Sequence, residues 1–475
     1  MRIVFAASEG APFSKSGGLG DVVWGLSTAL ARKRHKVSVF LPFYSKTKRT
    51  VLDMYEFVDS FEVAQGQTMI RANILKDTKE KVDFYFVECA QYFEREGLYG
   101  YQDDSNRFAF FCLAVRKAIM RLNLQPDVVH VHDWQTAILP LLLADVGIRV
   151  RSLLTIHNPA FQGYLNPYNL GEMVNLASAY YNNGLLRFND QVSLLKGGIT
   201  TCDAISTVSR THAQELLSDF NAFNGLGYVL HNREHDMFGI VNGLDYASFS
   251  PESDATIYKT YDKNSFKEGK RENKRELFKA FGFSDVESDV PVFGLVSRLT
   301  SQKGIDRVLR IIPKIVNRNA RLVVLGQGEW DIEQNLKYMA KNYPENIKIY
   351  LGYNEALSHL VYAGSDFFLM PSKFEPCGLG QIIAMHYGTL PIVSKVGGLN
   401  DTVNSYYDSQ ENATGFSFAS WDENCFDYTI DYVVDMYYTR RDEVDRLIVN
   451  AMSVDFSWDR QVKQYIDLYK MLLSR

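Results

Sequence analysis

Cysteine is scarce in this chain, with five residues among 475 and no Cys-x-x-Cys pair or zinc-like spacing. Cys89, Cys112, Cys202, Cys377 and Cys425 are odd in number. With no leader segment in view, they read as reduced thiols of a cytoplasmic protein. No apolar run approaches the roughly 18 residues that span a bilayer, so no membrane partner is expected. An excess of basic charge is also missing. The 51 Lys and Arg against 56 Asp and Glu leave a formal net charge of −5, which argues against a nucleic-acid partner.

Several nucleotide signatures are absent or broken. Gly18-Leu19-Gly20-Asp21-Val22-Val23 lacks the third glycine of the dinucleotide fingerprint. The strand-like run 37–41 leads into Pro42-Phe43-Tyr44 without the acidic residue that would hold a ribose, which argues against NAD. No GxxxxGK[ST] loop occurs, which excludes P-loop chemistry. No two aspartates are separated by a single residue, so the Asp-x-Asp metal clamp is missing. A departing diphosphate would then have to be stabilised by fixed cations and backbone donors, with no metal and no cofactor.

What is present is a repeated loop. Lys15-Ser16-Gly17-Gly18-Leu19 follows the strand-like run 3–7, and Lys395-Val396-Gly397-Gly398-Leu399 follows the run 390–394. Paired glycines between a strand and a helix let backbone N–H groups approach an anion, and a lysine adds a full charge. Two such loops in two halves point to two α/β domains acting on one phosphate-bearing ligand.

The length suits two large domains. Strand-like runs at 3–7, 36–41, 82–87, 128–132, 153–157 and 204–208 alternate with helical segments such as 106–122, a doubly wound pattern. Residues 251–288 are polar, with a charged stretch at 263–275, and read as a linker entering the first helix of a second domain. The rhythm then restarts at 291–297, 321–325, 347–351, 366–370 and 390–394, and the chain ends in an amphipathic helix, 458–473. The fold class is therefore α/β, with two Rossmann-like doubly wound parallel-sheet domains facing across a deep cleft. We place the domains at 1–245 and 246–455, with 456–475 a separate C-terminal helix.

Three segments carry candidate chemistry. Ser297-Arg298-Leu299-Thr300-Ser301-Gln302-Lys303-Gly304 lies at the C-terminal end of the second domain's first strand, where ligands of open α/β sheets gather. Arg298 suits bidentate phosphate contacts and Lys303 a point charge, although such a pair is often only two solvated cations. In Phe374-Glu375-Pro376-Cys377-Gly378-Leu379, Glu375 is placed to bind sugar hydroxyls and the Gly378 and Leu379 amides to face phosphate. Glu375 alone would fit equally well as a helix-dipole acid, and Cys377 reads as a packed thiol rather than a nucleophile. His130-Val131-His132-Asp133 and Thr155-Ile156-His157-Asn158 end strands. With no third metal ligand at plausible spacing, hydrogen bonding ranks above metal binding for these histidines.

Taken together these motifs resemble the bacterial glycogen synthase and plant starch synthase family. The matching residues are Ser14-Lys15-Ser16-Gly17-Gly18-Leu19-Gly20-Asp21, His132-Asp133-Trp134, His157-Asn158, Val241-Asn242-Gly243-Leu244-Asp245, the Arg298 and Glu375 segments, Gly352-Tyr353 and Gly397-Gly398-Leu399. Ser16 stands where the family usually has threonine. The resemblance spans nearly the whole chain and implies the GT-B fold, with the C-terminal helix crossing back onto the first domain. It also implies retaining transfer of glucose from ADP-glucose to the non-reducing-end 4-hydroxyl of an α-1,4-glucan such as glycogen. The alternatives are a UDP-glucose-using glucan synthase or another GT-B sugar-nucleotide enzyme. By the same resemblance, Lys15, Gly17 and Gly18 contact the donor's phosphate, and Arg298 and Lys303 neutralise the leaving diphosphate. Glu375 and His157 bind the glucose, Asp133 and Asn242 line its site, and Tyr353 stacks on the base. Cys377, Gly378, Leu379, Gly397 and Gly398 complete the donor site, while Glu9 and Tyr99 fall where the family holds the acceptor.

Overall fold

The computed structural model describes residues 1–50, 55–419 and 422–475. The chain divides into two compact units, Met1–Gly243 with Trp458–Arg475, and Leu244–Ser457. The division falls two residues from each sequence-based boundary. The two ends of the second unit pair with each other: the Leu244 N–H donates to the Phe456 carbonyl (2.8 Å), and Leu244 bridges Ser457 in parallel register.

The first unit is built on strands β1 (Arg2–Ala6), β2 (Lys36–Pro42), β3 (Glu56–Gln65), β4 (Thr68–Lys79), β5 (Val82–Glu88), β6 (Val128–His132), β7 (Arg151–Ile156), β8 (Ala204–Thr207) and β9 (Met237–Gly239). They form one sheet in the order β9-β8-β7-β6-β1-β2-β5-β4-β3. The strands from β9 to β5 pair in parallel, and those from β8 to β5 are mostly buried, which is why they read as continuous apolar runs. The β3–β4 hairpin is antiparallel and was not anticipated. Its only mark in the sequence is alternation, since β3 buries Phe61, Val63 and Gln65 while the intervening residues face water. A smaller antiparallel sheet joins Tyr164–Leu165, Arg187–Phe188 and Gln191–Ser193.

Helix α1 (Gly18–Arg32) follows β1, and α2 (Asp104–Arg121) precedes β6. The C-terminal helix, Trp458–Ser474, belongs to this unit and packs on α1. It buries Trp458, Val462, Tyr465, Tyr469 and Leu472, one apolar stripe at helical spacing. Trp458 is seated so closely that a Cβ on Gly25 would lie 1.9 Å from its Nε1.

In the second unit β10 (Val292–Val296), β11 (Arg321–Gly326), β12 (Ile347–Leu351), β13 (Phe367–Met370), β14 (Leu390–Ser394) and β15 (Phe416–Phe418) form an all-parallel sheet, ordered β12-β11-β10-β13-β14-β15. The stretch expected to be a linker is instead integral to this unit. Most of its charged part forms helix α3 (Phe266–Phe281), in which Lys270 and Lys274 are buried. Lys274 bonds Asp366 Oδ2 (2.7 Å) and the Tyr437 hydroxyl (2.9 Å), and Lys270 reaches Thr389 Oγ1 (2.7 Å). Buried partners explain how so polar a segment enters a core. Both sheets reverse strand order beside their first strand, between β1 and β6 and between β10 and β13.

Candidate functional site

In the second unit the chain leaves β10 through Ser297 and Arg298, and leaves β13 through the loop that carries Glu375. These neighbouring strand ends form a topological switch point, where open α/β sheets bind ligands. A pocket of about 260 Å3 opens there, lined by Arg298, Lys303, Ser372, Glu375, Gly378 and Leu379 among others. Lys303 Nζ donates to Glu375 Oε2 at 2.5 Å, and Ser372 Oγ donates to the same oxygen at 3.1 Å. Glu375 is buried, whereas Arg298 is exposed. The site thus offers a cation, an oriented carboxylate and backbone amides at the start of helix α4 (Gly380–His386). Tyr353 follows β12 and is 77% exposed.

The two glycine loops are built differently. Gly17 is extended and a Cβ on Gly18 would meet nothing within 4 Å, so internal packing does not demand a glycine at position 18. Gly397 has φ +42°, and a Cβ there would lie 2.1 Å from the Glu375 carbonyl. The Gly398 N–H donates to the carbonyls of Glu375 and Pro376 (3.0 and 3.1 Å), and a Cβ on Gly398 would meet the Cys377 carbonyl at 2.2 Å. The second loop therefore clamps the Glu375 loop from behind, and Gly398 spends its amide on the protein. Cys377 is buried, consistent with a packed thiol. Lys395 is paired with Asp408 (2.9 Å).

In the first unit Glu9 is buried and organises the first loop. Its carboxylate accepts from the Ser16 N–H (2.8 Å), the Ser16 hydroxyl (2.6 Å) and the Gly20 N–H (3.1 Å). Burial raises its pKa and these hydrogen bonds oppose the rise. Lys15 is half-exposed and pairs with Asp21 (2.8 Å). The Tyr99 hydroxyl bonds Ser8 Oγ (2.8 Å), and the Tyr44 hydroxyl donates to the Ser8 carbonyl (2.8 Å). Asn242 is buried, and its Oδ1 has no hydrogen-bond partner among the described residues.

The ends of β6 and β7 bring three histidines together. His130 contacts the His132 ring at 4.3 Å, and His132 Nδ1 lies 3.1 Å from His157 Nε2. Behind them His130 bonds Thr155 (2.6 Å) and Tyr469 (2.8 Å) of the C-terminal helix. Burial holds His132 well below the ordinary histidine range and takes His157 down to about 3, so both rings are neutral near pH 7. Asp133, at φ +54°, accepts from the backbone N–H groups of His157 (2.7 Å) and Asn158 (3.2 Å). Burial pushes its carboxyl up to about 7. Sequence reasoning singled out Glu9, Asp133 and His157, but not the supporting Ser372, Tyr44 and Tyr469. Lone hydroxyl residues carry no spacing signal.

Among the described residues, no cluster of three or more His, Cys, Asp or Glu is arranged to hold a metal ion, and no helix is long and apolar enough to cross a membrane. The fold is GT-B, and the chain is a glycosyltransferase. Residues 2–232 match the starch synthase catalytic domain family, and residues 278–448 match glycosyl transferases group 1. Glycogen synthase of Bacillus cereus (strain B4264) is 39% identical over 480 residues, covering 100% of both chains. That of Lactococcus lactis subsp. lactis (strain IL1403) is 40% identical over 484 residues, 99% of this chain and 100% of its own. The solved catalytic domain of starch synthase IV from Arabidopsis thaliana, bound to ADP and acarbose, superposes with a TM-score of 0.90 at 34% identity, covering 100% of this chain and 99% of that one. The chain belongs to the glycogen and starch synthase family.

Proposed function

We propose that this enzyme transfers glucose, with retention of configuration, from ADP-glucose to the 4-hydroxyl at the non-reducing end of an α-1,4-glucan. ADP is released, no metal takes part, and the reaction is cytoplasmic. The observation that carries the reading is the pocket in which Lys303, Ser372 and Glu375 form one hydrogen-bonded group beside Arg298. The ADP bound to the Arabidopsis relative supports an adenine nucleotide as the donor's leaving group.

In the transfer, the bond from glucose C1 to the diphosphate oxygen breaks. The acceptor O4 bonds C1 on the same face, and the acceptor proton passes to the departing diphosphate. Arg298 and Lys303 stabilise the negative charge as it develops on that diphosphate. Glu375 binds glucose hydroxyls, and its charge opposes the positive charge growing at C1. The Gly378 and Leu379 amides face the phosphate, and Cys377, Gly397 and Gly398 hold the loop that presents them. Tyr353 stacks on the adenine. From the first unit, Lys15 with the Gly17 and Gly18 amides serves the donor phosphate, and Asp133 and Asn242 line the sugar site. His157 contacts the sugar 6-hydroxyl, and Glu9 and Tyr99 serve the acceptor glucan.

The test is incorporation of labelled glucose into glycogen from ADP-glucose and from UDP-glucose, with EDTA present. Transfer from ADP-glucose in EDTA is the expected result. Transfer mainly from UDP-glucose would overturn the donor assignment, and loss of transfer in EDTA would overturn the metal-free one.

A further inference from the structure

We infer that His132 is a positioning residue that fixes the tautomer of His157, so that His157 presents a hydrogen-bond donor, Nδ1–H, to the sugar. The inference rests on the placement of His157 at the donor sugar proposed above. The two imidazoles meet nitrogen to nitrogen, His132 Nδ1 to His157 Nε2 at 3.1 Å. Both are neutral, so each ring carries one proton and the shared contact takes one proton from one of the two rings.

Two arrangements satisfy that contact. If His157 donated through Nε2–H, His132 would have to carry its own proton on Nε2. That nitrogen is buried and has no hydrogen-bond partner among the described residues. An N–H left unpaired in a core is among the rarest polar defects, and a bare acceptor is the better tolerated one. The favoured arrangement therefore puts the His132 proton on Nδ1, donated to His157 Nε2. His157 then keeps its proton on Nδ1.

The surroundings hold the pair in this geometry. His132 is fully buried between the rings of Phe5 (5.5 Å) and His130 (4.3 Å). Its backbone N–H lies 2.8 Å from Thr136 Oγ1, and that hydroxyl also contacts the Ala6 carbonyl (3.0 Å). The His157 backbone is tied to Asp133 Oδ1. Turning either ring over would break the Nδ1–Nε2 contact between them. The consequence is chemical: a fixed donor favours a sugar bearing a hydroxyl oxygen at that position over one that lacks it.

The experiment is 15N NMR of the histidine-labelled full-length protein, with His132 and His157 signals assigned from His132→Asn and His157→Asn variants. His157 protonated at Nδ1 is the expected reading, and protonation at Nε2 would overturn the inference. Kinetics give a second readout. Asn carries an amide N–H near the Nδ1 position and is expected to stay within about threefold of the parent, whereas His132→Leu is expected to lower kcat/KM for ADP-glucose about tenfold. With ADP-6-deoxyglucose, the His132→Leu penalty should largely vanish. An equal loss on both donors would mark His132 as merely structural and overturn the inference. A parent enzyme indifferent to the 6-hydroxyl would sink the placement of His157 instead, while the NMR result would still decide the tautomer.

Discussion

The ammonium of Lys303 lies 2.5 Å from the carboxylate of Glu375, and both side chains are largely withdrawn from water. The pair holds a cation and an anion side by side in a pocket proposed to receive a diphosphate and a sugar. Each partner keeps the other from being buried unpaired.

Removing a charged side chain from this pocket should cost catalysis heavily. Glu375→Ala and Arg298→Ala are each expected to lower kcat at least roughly 100-fold, the scale of losing one preorganised electrostatic group. Steady-state kinetics with ADP-glucose and glycogen provide the check, and near-normal turnover by either variant would sink the assignment.

Gly397→Ala should damage the site through the backbone. The new Cβ would sit 2.1 Å from the Glu375 carbonyl, at a φ of +42°. A destabilisation of about 1–3 kcal/mol is expected, with a loss of kcat as Glu375 is displaced. Gly18→Ala, with nothing within 4 Å of the added carbon, should leave Tm nearly unchanged and raise the donor KM. Thermal melts and donor titrations of the two variants separate these effects.

Asp133 makes stability fall as pH rises. Its carboxyl holds a proton up to about 7 in the folded chain, against an ordinary 3.8, because burial disfavours the charge. Between those values the folded state binds a proton that the unfolded state has released, so raising the pH favours unfolding. Asp133→Asn keeps an acceptor for the two N–H groups and removes the titration. Denaturant unfolding should show the variant gaining on the parent from pH 5 to pH 8. A constant difference across that range would contradict the argument.

His386 acts in the opposite sense. Its ring stacks on Tyr246 (4.2 Å), both ring nitrogens are buried without hydrogen-bond partners among the described residues, and burial lowers its pKa to about 4. The unfolded chain takes up that proton near 6.5, so stability is lost as pH falls from there toward 4. His386→Phe preserves the stack without the titration. The urea midpoint of the variant should fall less than the parent's between pH 7.5 and pH 5.

Much of the fold could be read before any coordinates. Most of the parallel strands bury both faces and so appear as short apolar runs, which place β1, β2, β5 to β8, β10, β11, β13 and β14; β12, at a sheet edge and only partly buried, is legible from its β-branched and aromatic residues. The β3–β4 hairpin has one wet face, and its alternation was too weak to register beside those runs. The charged segment that forms α3 gives no sign in sequence that Lys270 and Lys274 are buried, because their partners, Thr389 and Asp366, lie about a hundred residues away. In the candidate site, residue identities were legible from motif spacing. Their mutual geometry was not: nothing in the sequence tells that Gly398 gives its amide to the Glu375 carbonyl, or that Tyr469 reaches His130.

The family, the two α/β halves and the residue types gathered at the strand ends are legible in the chain alone, because periodicity and motif spacing are properties of a few residues at a time. Which polar groups meet was settled by packing in three dimensions. That packing paired Lys303 with Glu375, aligned His132 with His157, and seated Trp458 on Gly25. These contacts join residues far apart in sequence, and packing and burial, rather than local propensity, set their distances and proton affinities.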